Sequence, residues 1–158
     1  MTAAPQGATD RGGPSHAAVN NGAADNGAAD LPVRPGEDPW SDAEFAELGV
    51  ELEKEAVALR AELGESEALI AARLGDAATE AGDDEADTSS KLFEREHELA
   101  LTNNTRELLD QTEHALARIE AGTYGVCESC GKPIGKARLQ AFPRATLCVA
   151  CKQRQERR

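Results

Sequence analysis

The residues of this chain best suited to chemistry are its four cysteines, and all of them fall in one stretch, CESCGKPIGKARLQAFPRATLCVAC, from Cys127 to Cys151. They form two CxxC pairs, Cys127 with Cys130 and Cys148 with Cys151, separated by residues 131–147. Each CxxC turn brings two thiolates to one side of a tight knuckle, and two knuckles complete a tetrahedron around one zinc ion. Gly131 follows Cys130 where such a knuckle calls for a positive φ, and Pro133 and Pro143 stiffen a loop with little core of its own. Two rival uses of cysteine have less in their favour. A disulfide framework needs an oxidising compartment, whereas the opening MTAAPQGATDRGG lacks the basic start and apolar run of a secretory signal. A redox pair would come as a single CxxC beside a βαβ pattern, which is absent. The expected cofactor is therefore one structural zinc ion, and the expected location is the cytoplasm.

The elements that must hold this module precede it. Ser41 and Glu44 form an S-x-x-E capping box, with Trp40 placed to staple against Phe45, and this marks a helix start. Leu48, Leu52, Leu59, Leu63, Ile70, Leu74 and Ala77 follow at steps of three, four or seven, a stripe that runs to about Ala81 before Gly82. A second helix is expected from about Thr88 to Ala121. Its stripe is Leu101, Thr105, Leu108, Thr112, Ala115 and Ile119, broadened by Leu92, Leu99, Leu109 and Leu116, and Gly122 stops it. A short connection between two such helices implies an antiparallel coiled-coil hairpin about 50 Å long.

At 158 residues, with 3% aromatics and 40% apolar residues, the chain has no material for a large globular core, which favours an elongated shape. Residues 1–40, rich in Gly, Ala, Asn and Asp with NGAAD doubled at 21–25 and 26–30, read as a disordered low-complexity tail. The net charge of −12 is unevenly spread. Residues 122–158 carry eight Lys or Arg against Glu128 and Glu156, for +6, so the remainder carries −18. No apolar run approaches the roughly 20 residues of a membrane span. The expected fold is thus mainly α: a disordered tail (1–40), an antiparallel coiled-coil hairpin (41–121) with an acidic tip at 83–87, and a four-cysteine zinc finger with a C-terminal basic helix (122–158).

The tip is the other place where residues crowd with a purpose. Asp83, Asp84, Glu85 and Asp87 stand at the hairpin connection. Acidic residues suit a helix start, but four carboxylates in five residues also repel one another. An exposed cluster of this kind can approach a metal ion or a basic site on a partner.

From Asp84 to Lys152 the sequence resembles the DksA/TraR family of bacterial transcription factors. The resemblance rests on Tyr124-Gly125-Val126-CESCG, Ile134-Gly135, Arg138-Leu139, Pro143 and Leu147-CVAC-Lys152, together with a D-x-x-D-x-A tip that falls here on Asp84, Asp87 and Ser89, with serine in place of alanine. It implies a non-enzymatic regulator whose rod enters the secondary channel of RNA polymerase, its tip carboxylates altering promoter-complex stability. It also implies a response to ppGpp through basic residues, yet this chain has Asn104, Gln111 and Phe142 at three of those positions and retains only Lys152. Loss of cations that would meet phosphates points to weak or absent ppGpp dependence.

Two alternatives share these residues: a transcript-cleavage-stimulating factor whose carboxylates help hold a catalytic magnesium, and a zinc-stabilised coiled-coil scaffold with no polymerase partner. The chain is expected to be a monomer without membrane contact. Direct nucleic-acid binding is not expected, because the chain is acidic overall and Phe142 is the only aromatic between the CxxC pairs. With four thiolates closing the metal shell, His97 and His114 are read as ordinary helix residues.

Overall fold

In the computed structural model, residues 27–77 and 85–157 are described, and among them the chain is helical, with no β-strand beyond one isolated bridge between Val126 and Pro133. Helix α1 spans Asp42–Ala77 and α2 spans Glu85–Glu120; two short helices, α3 (Lys136–Ala141) and α4 (Val149–Glu156), belong to the cysteine module. The capping box forms as its sequence requires. Ser41 N–H donates to Glu44 Oε2 at 2.9 Å, and Glu44 N–H donates back to Ser41 Oγ at 3.2 Å.

The two long helices pair antiparallel, and their cross-links show it directly. Arg60 meets Glu113, Thr105 Oγ1 lies against Glu62, Arg106 meets Glu67, and Arg73 meets Glu98, so from Arg60 to Arg73 along α1 the partner on α2 moves back from Glu113 to Glu98. Each helix has 36 residues, so the hairpin reaches about 54 Å at 1.5 Å per residue. The helix bounds shift the expected connection: α2 begins at Glu85 rather than near Thr88, so Asp87 and Thr88 lie inside its first turn. Acidic side chains at a helix N-terminus offset the positive end of the backbone dipole, which favours the earlier start.

A second difference concerns the face of α2 that meets α1. Leu101, expected in the stripe, is 55% exposed, and the buried positions are Thr102, Thr105, Leu109, Thr112 and Ala115. Three of those are threonines. Thr102 and Thr112 turn their hydroxyls back to the carbonyls of Glu98 and Leu108, and the Thr105 hydroxyl has two acceptors within reach, Glu62 at 3.0 Å and the Leu101 carbonyl at 3.2 Å, so each donor is satisfied inside the seam. The apolar burial is confined to the base of the rod, at Leu48, Leu52, Ala56, Leu109 and Ala115, while Leu69, Leu74, Leu92 and Phe93 nearer the connection are exposed.

The expectation of a disordered tail through residue 40 is corrected for residues 27–40. This segment packs as a strap on the base of the rod and the module: Ala28, from the second NGAAD copy, and Trp40 are buried, and Leu31 and Val33 pack against the same core. Long-range polar contacts fix it. Glu37 Oε2 accepts the backbone N–H of Lys136 at 3.1 Å, the first residue of α3. Lys136 Nζ in turn donates to the Pro39 carbonyl and Glu44, 5.2 Å from the Trp40 ring centre. The hydrogen bond from Lys136, reinforced by the Ser41 backbone and side chain, holds the Glu44 carboxyl down from 4.5 to about 2. None of these pairings has a local signature, because the partners stand more than 90 residues apart. No described helix is long and apolar enough to cross a membrane.

This register predicts unequal effects of two leucines. Leu52→Ala, at a position with 0% exposure, should destabilise the fold by about 2–5 kcal/mol in denaturant titrations, whereas Leu101→Ala should cost less than about 1 kcal/mol.

Candidate metal centre and the base of the rod

The first knuckle is built by backbone geometry. Gly125 and Gly131 adopt φ of 84° and 69°, a region open to glycine, and Gly131 N–H donates to the Cys127 carbonyl at 2.8 Å to close the turn. Cys127 N–H donates to Lys132 and Ile134 N–H to Gly125, so the chain on either side of the knuckle is tied together. The second knuckle begins at Cys148, the residue capping α4, which places Cys151 in the first turn of that helix. Glu128 N–H reaches the Thr146 carbonyl at 2.9 Å and joins the two knuckles.

The four sulfurs converge, all within 4.8 Å of one another, and none is in a disulfide. A tetrahedron with Zn–S bonds of about 2.3 Å has S···S edges of about 3.8 Å, and Cys130 and Cys148 Sγ stand 3.9 Å apart. The surroundings also fit a cation. Burial opposes the Cys127 thiolate, but N–H groups of Cys148, Cys130 and Ser129 outweigh it and draw the thiol down to about 6. Ser129 and then Arg154, whose Nη2 lies 2.8 Å from Sγ, lower Cys151. The Lys132 N–H acts on Cys130 in the same sense, yet its sulfur neighbours push it up to about 11. Sulfurs this close cannot all ionise unless a cation lies among them, and a divalent ion of zinc's preferences meets that need. The four predicted ligands are thus brought together as a set that one zinc ion fits.

Beside the metal set, the module joins the rod through side chains that the sequence reading passed over. Arg118, in the last turn of α2, is only 7% exposed. It donates from Nη2 to the carbonyls of Thr123 (2.8 Å) and Val126, while its own carbonyl accepts from Thr123 and Tyr124 N–H. Glu128 sits 3.7 Å from Arg118 Nε and 2.6 Å from His114 Nε2, and these neighbours, His114 foremost, lower the Glu128 carboxyl. His114 was expected to be an ordinary helix residue; here it ties the rod to the residue after the first metal ligand. The available signal for Arg118 was a cation in the final turn before Gly122, where the helix dipole favours one. Tyr124 is buried with its hydroxyl donating to the Pro143 carbonyl at 2.8 Å, and burial pushes its pKa up. One apolar core runs through Trp40, Leu48, Leu52, Tyr124, Ile134 and Leu139, shared by strap, rod and module.

The tip residues are placed differently. Asp84 lies outside the described residues, Asp87 falls in the first turn of α2 with its side chain outside them, and Ser89 is exposed on α2. The connection is at the end of the hairpin opposite the cysteines. Of the four positions considered for ppGpp, Gln111, Phe142 and Lys152 line a single groove beside α4, and Asn104 is exposed on α2.

Removing the metal should therefore be visible at Tyr124, the only tyrosine. Zinc contributes roughly 10–16 kcal/mol of apparent folding free energy in small modules, so chelation should abolish the near-ultraviolet circular dichroism of Tyr124 and lower the melting temperature. An unchanged tyrosine signal, with metal loss verified, would show that the module holds without it.

Comparison with known proteins agrees with this site. Residues 122–157 match the prokaryotic dksA/traR C4-type zinc finger. The chain is 45% identical over 80 residues to the RNA polymerase-binding transcription factor DksA of Caulobacter vibrioides, covering 51% of this chain and 56% of that one. To the factor of the same name from Escherichia coli K12 it is 46% identical over 61 residues, 37% of this chain and 40% of that one. The chain thus spans about half the length of these curated relatives. The solved transcription factor DksA2 from Pseudomonas aeruginosa is 36% identical, with 68% of this chain and 84% of that one covered at a TM-score of 0.44. With identity of this order along most of one solved relative, and the cysteine module matched nearly from end to end, the chain belongs to the DksA/TraR family of C4-type zinc-finger proteins.

Proposed function

We propose that this chain is an RNA polymerase-binding regulator of transcription that inserts its acidic tip into the secondary channel and alters promoter-complex stability. The observation that carries the reading is the 45% identity over 80 residues to a protein named for binding RNA polymerase. The architecture supports it: an antiparallel hairpin with the cysteines at its base and Asp84, Asp87 and Ser89 at or beside the connection. In this reading the tip carboxylates act by charge on elements of the polymerase active site, and the chain is not itself an enzyme.

Zinc has an architectural role. Four thiolates fill its coordination shell and leave no position for a substrate or an activated water, so the ion fixes the two knuckles and, through Arg118 and Glu128, the seat of α2. The factor works as a monomer in the cytoplasm beside its partner, without membrane contact or direct binding to nucleic acid. Response to ppGpp is weak or absent, because polar Asn104 and Gln111 and apolar Phe142 offer phosphates no charge, and Lys152 lies 3.6 Å from Glu156.

The test is a double substitution at the tip. Asp84→Asn with Asp87→Asn should leave the affinity for core polymerase within about threefold, because the contacts at the base remain, but should abolish the effect of the factor on promoter-complex lifetime. Unchanged lifetimes with the double variant contradict the tip mechanism, added transcript cleavage in stalled complexes assigns the carboxylates to a cleavage role, and failure to bind core polymerase leaves a coiled-coil scaffold.

A further inference from the structure

The cysteine module is anchored on the rod at two places, and they engage different halves of it. Arg118 fastens the first knuckle to the end of α2. The strap of residues 27–40 takes hold of α3 from the start of α1. Gly135 stands at the N-cap of α3 and offers no side-chain acceptor; Glu37, 99 positions away, supplies one by accepting the Lys136 N–H at 3.1 Å. Glu37 is itself held in a turn, where its Oε2 also accepts the Arg34 N–H at 3.2 Å and its own N–H donates to the Arg34 carbonyl at 3.1 Å.

The module leaves room for the strap at two glycines. A side chain at Gly135 would meet Glu37 Oε1 at 3.2 Å, and one at Gly125 would meet Pro32 at 3.5 Å. On either side of Pro32 in the chain, Leu31 and Val33 pack against the core that holds Tyr124, Ile134 and Leu139. Lys136 then joins α3 to the first turn of α1, donating to the Pro39 carbonyl and to Glu44. Arg144 also meets Glu55 at 3.2 Å, but a part-exposed ion pair of this kind does little to resist a tilt.

A rigid body held at one point can still rotate about it. Near Arg118 the chain passes through Gly122 and Gly125, at φ of 69° and 84°, so the covalent link adds little stiffness of its own. A second anchor, on the other half of the module and on the other long helix, removes that rotation. The rod makes the consequence large: over the 36 residues of α1, about 54 Å, a tilt of about 10° at the base moves the far end by about 9 Å.

We propose that residues 27–40 act as a brace that fixes the tilt of the module on the rod and, resting on the function proposed above, that Glu37 is a positioning residue that preorganises the factor for RNA polymerase. A braced factor binds without first having its tilt frozen, so the brace shows in affinity and not in the maximal effect.

The experiment uses the full, zinc-loaded chain with spin labels at Lys54 on α1 and Gln153 on α4, both exposed. The labels go on through ketone-bearing residues, because the cysteines serve the metal. Pulsed dipolar spectroscopy should give one narrow distance distribution for the parent and for Glu37→Gln, which keeps an acceptor for the Lys136 N–H. Glu37→Ala should broaden it. Combining Leu31→Ser, Val33→Ser and Glu37→Ala, which frees the strap ahead of Trp40, should widen it about twofold or more. Zinc content should match the parent throughout. Titrated unlabelled against polymerase, the triple variant should need about fivefold more factor for its half-maximal effect on promoter-complex lifetime and reach the same maximum. A triple variant with the parent's distance distribution overturns the brace, whatever polymerase does. Broadening with an unchanged half-maximal concentration overturns the positioning role of Glu37. Loss of zinc from the triple variant makes the strap part of the module's own fold and also overturns the proposal. If the parent has no effect on polymerase, the proposed function falls and the distances alone decide the brace.

Discussion

A guanidinium buried where the rod meets the cysteine module sets the geometry of both. Arg118 projects from the last turn of α2 and gathers the carbonyls of Thr123 and Val126, on either side of the turn that leads into Cys127. A buried cation needs hydrogen bonds and counter-charge; here the backbone carbonyls of Thr123 and Val126 accept from Nη2 and Glu128 supplies the charge, while Nη1 is buried with no hydrogen-bond partner among the described residues. Because Glu128 stands next to the first metal ligand and also holds His114, the end of the rod, the first knuckle and the sulfur cluster form one connected unit. The buried apolar residues of the module, Tyr124, Ile134 and Leu139, belong to the core it shares with the rod, and this junction ties the two together at the same place.

The same economy explains the long, thinly packed rod. Apolar burial is concentrated where α1 and α2 can share the core of strap and module, and farther out the helices are joined by exposed ion pairs, each worth little in water. Stability is thus highest at the base and falls toward the connection.

Much of this was legible in the sequence because it is local. CxxC spacing, the Ser41–Glu44 box and the glycine after Cys130 each act over a few residues, and each formed as read. The misreadings are nonlocal. Thr105, Thr112 and Ala115 were read in the stripe and are buried, but Leu101 looked like a seam residue because leucine outranks threonine on any hydrophobicity scale, whereas the buried residue there is Thr102, whose hydroxyl donates to the Glu98 carbonyl. The strap looked like part of a tail because composition says nothing of a carboxylate that finds its N–H ninety-nine positions away, as Glu37 does at Lys136. Family resemblance located the tip, which periodicity could describe only as an acidic connection.

The central claim is that a base fixed by metal and Arg118 delivers the tip into the polymerase channel, and a site-specific crosslink tests it most directly. A photoreactive residue placed at Ser89, exposed on α2 five positions after Asp84, should crosslink in the complex to polymerase segments lining the channel beside the active site. Crosslinks confined to the outer surface of the polymerase, in a complex whose binding is intact, would contradict the account.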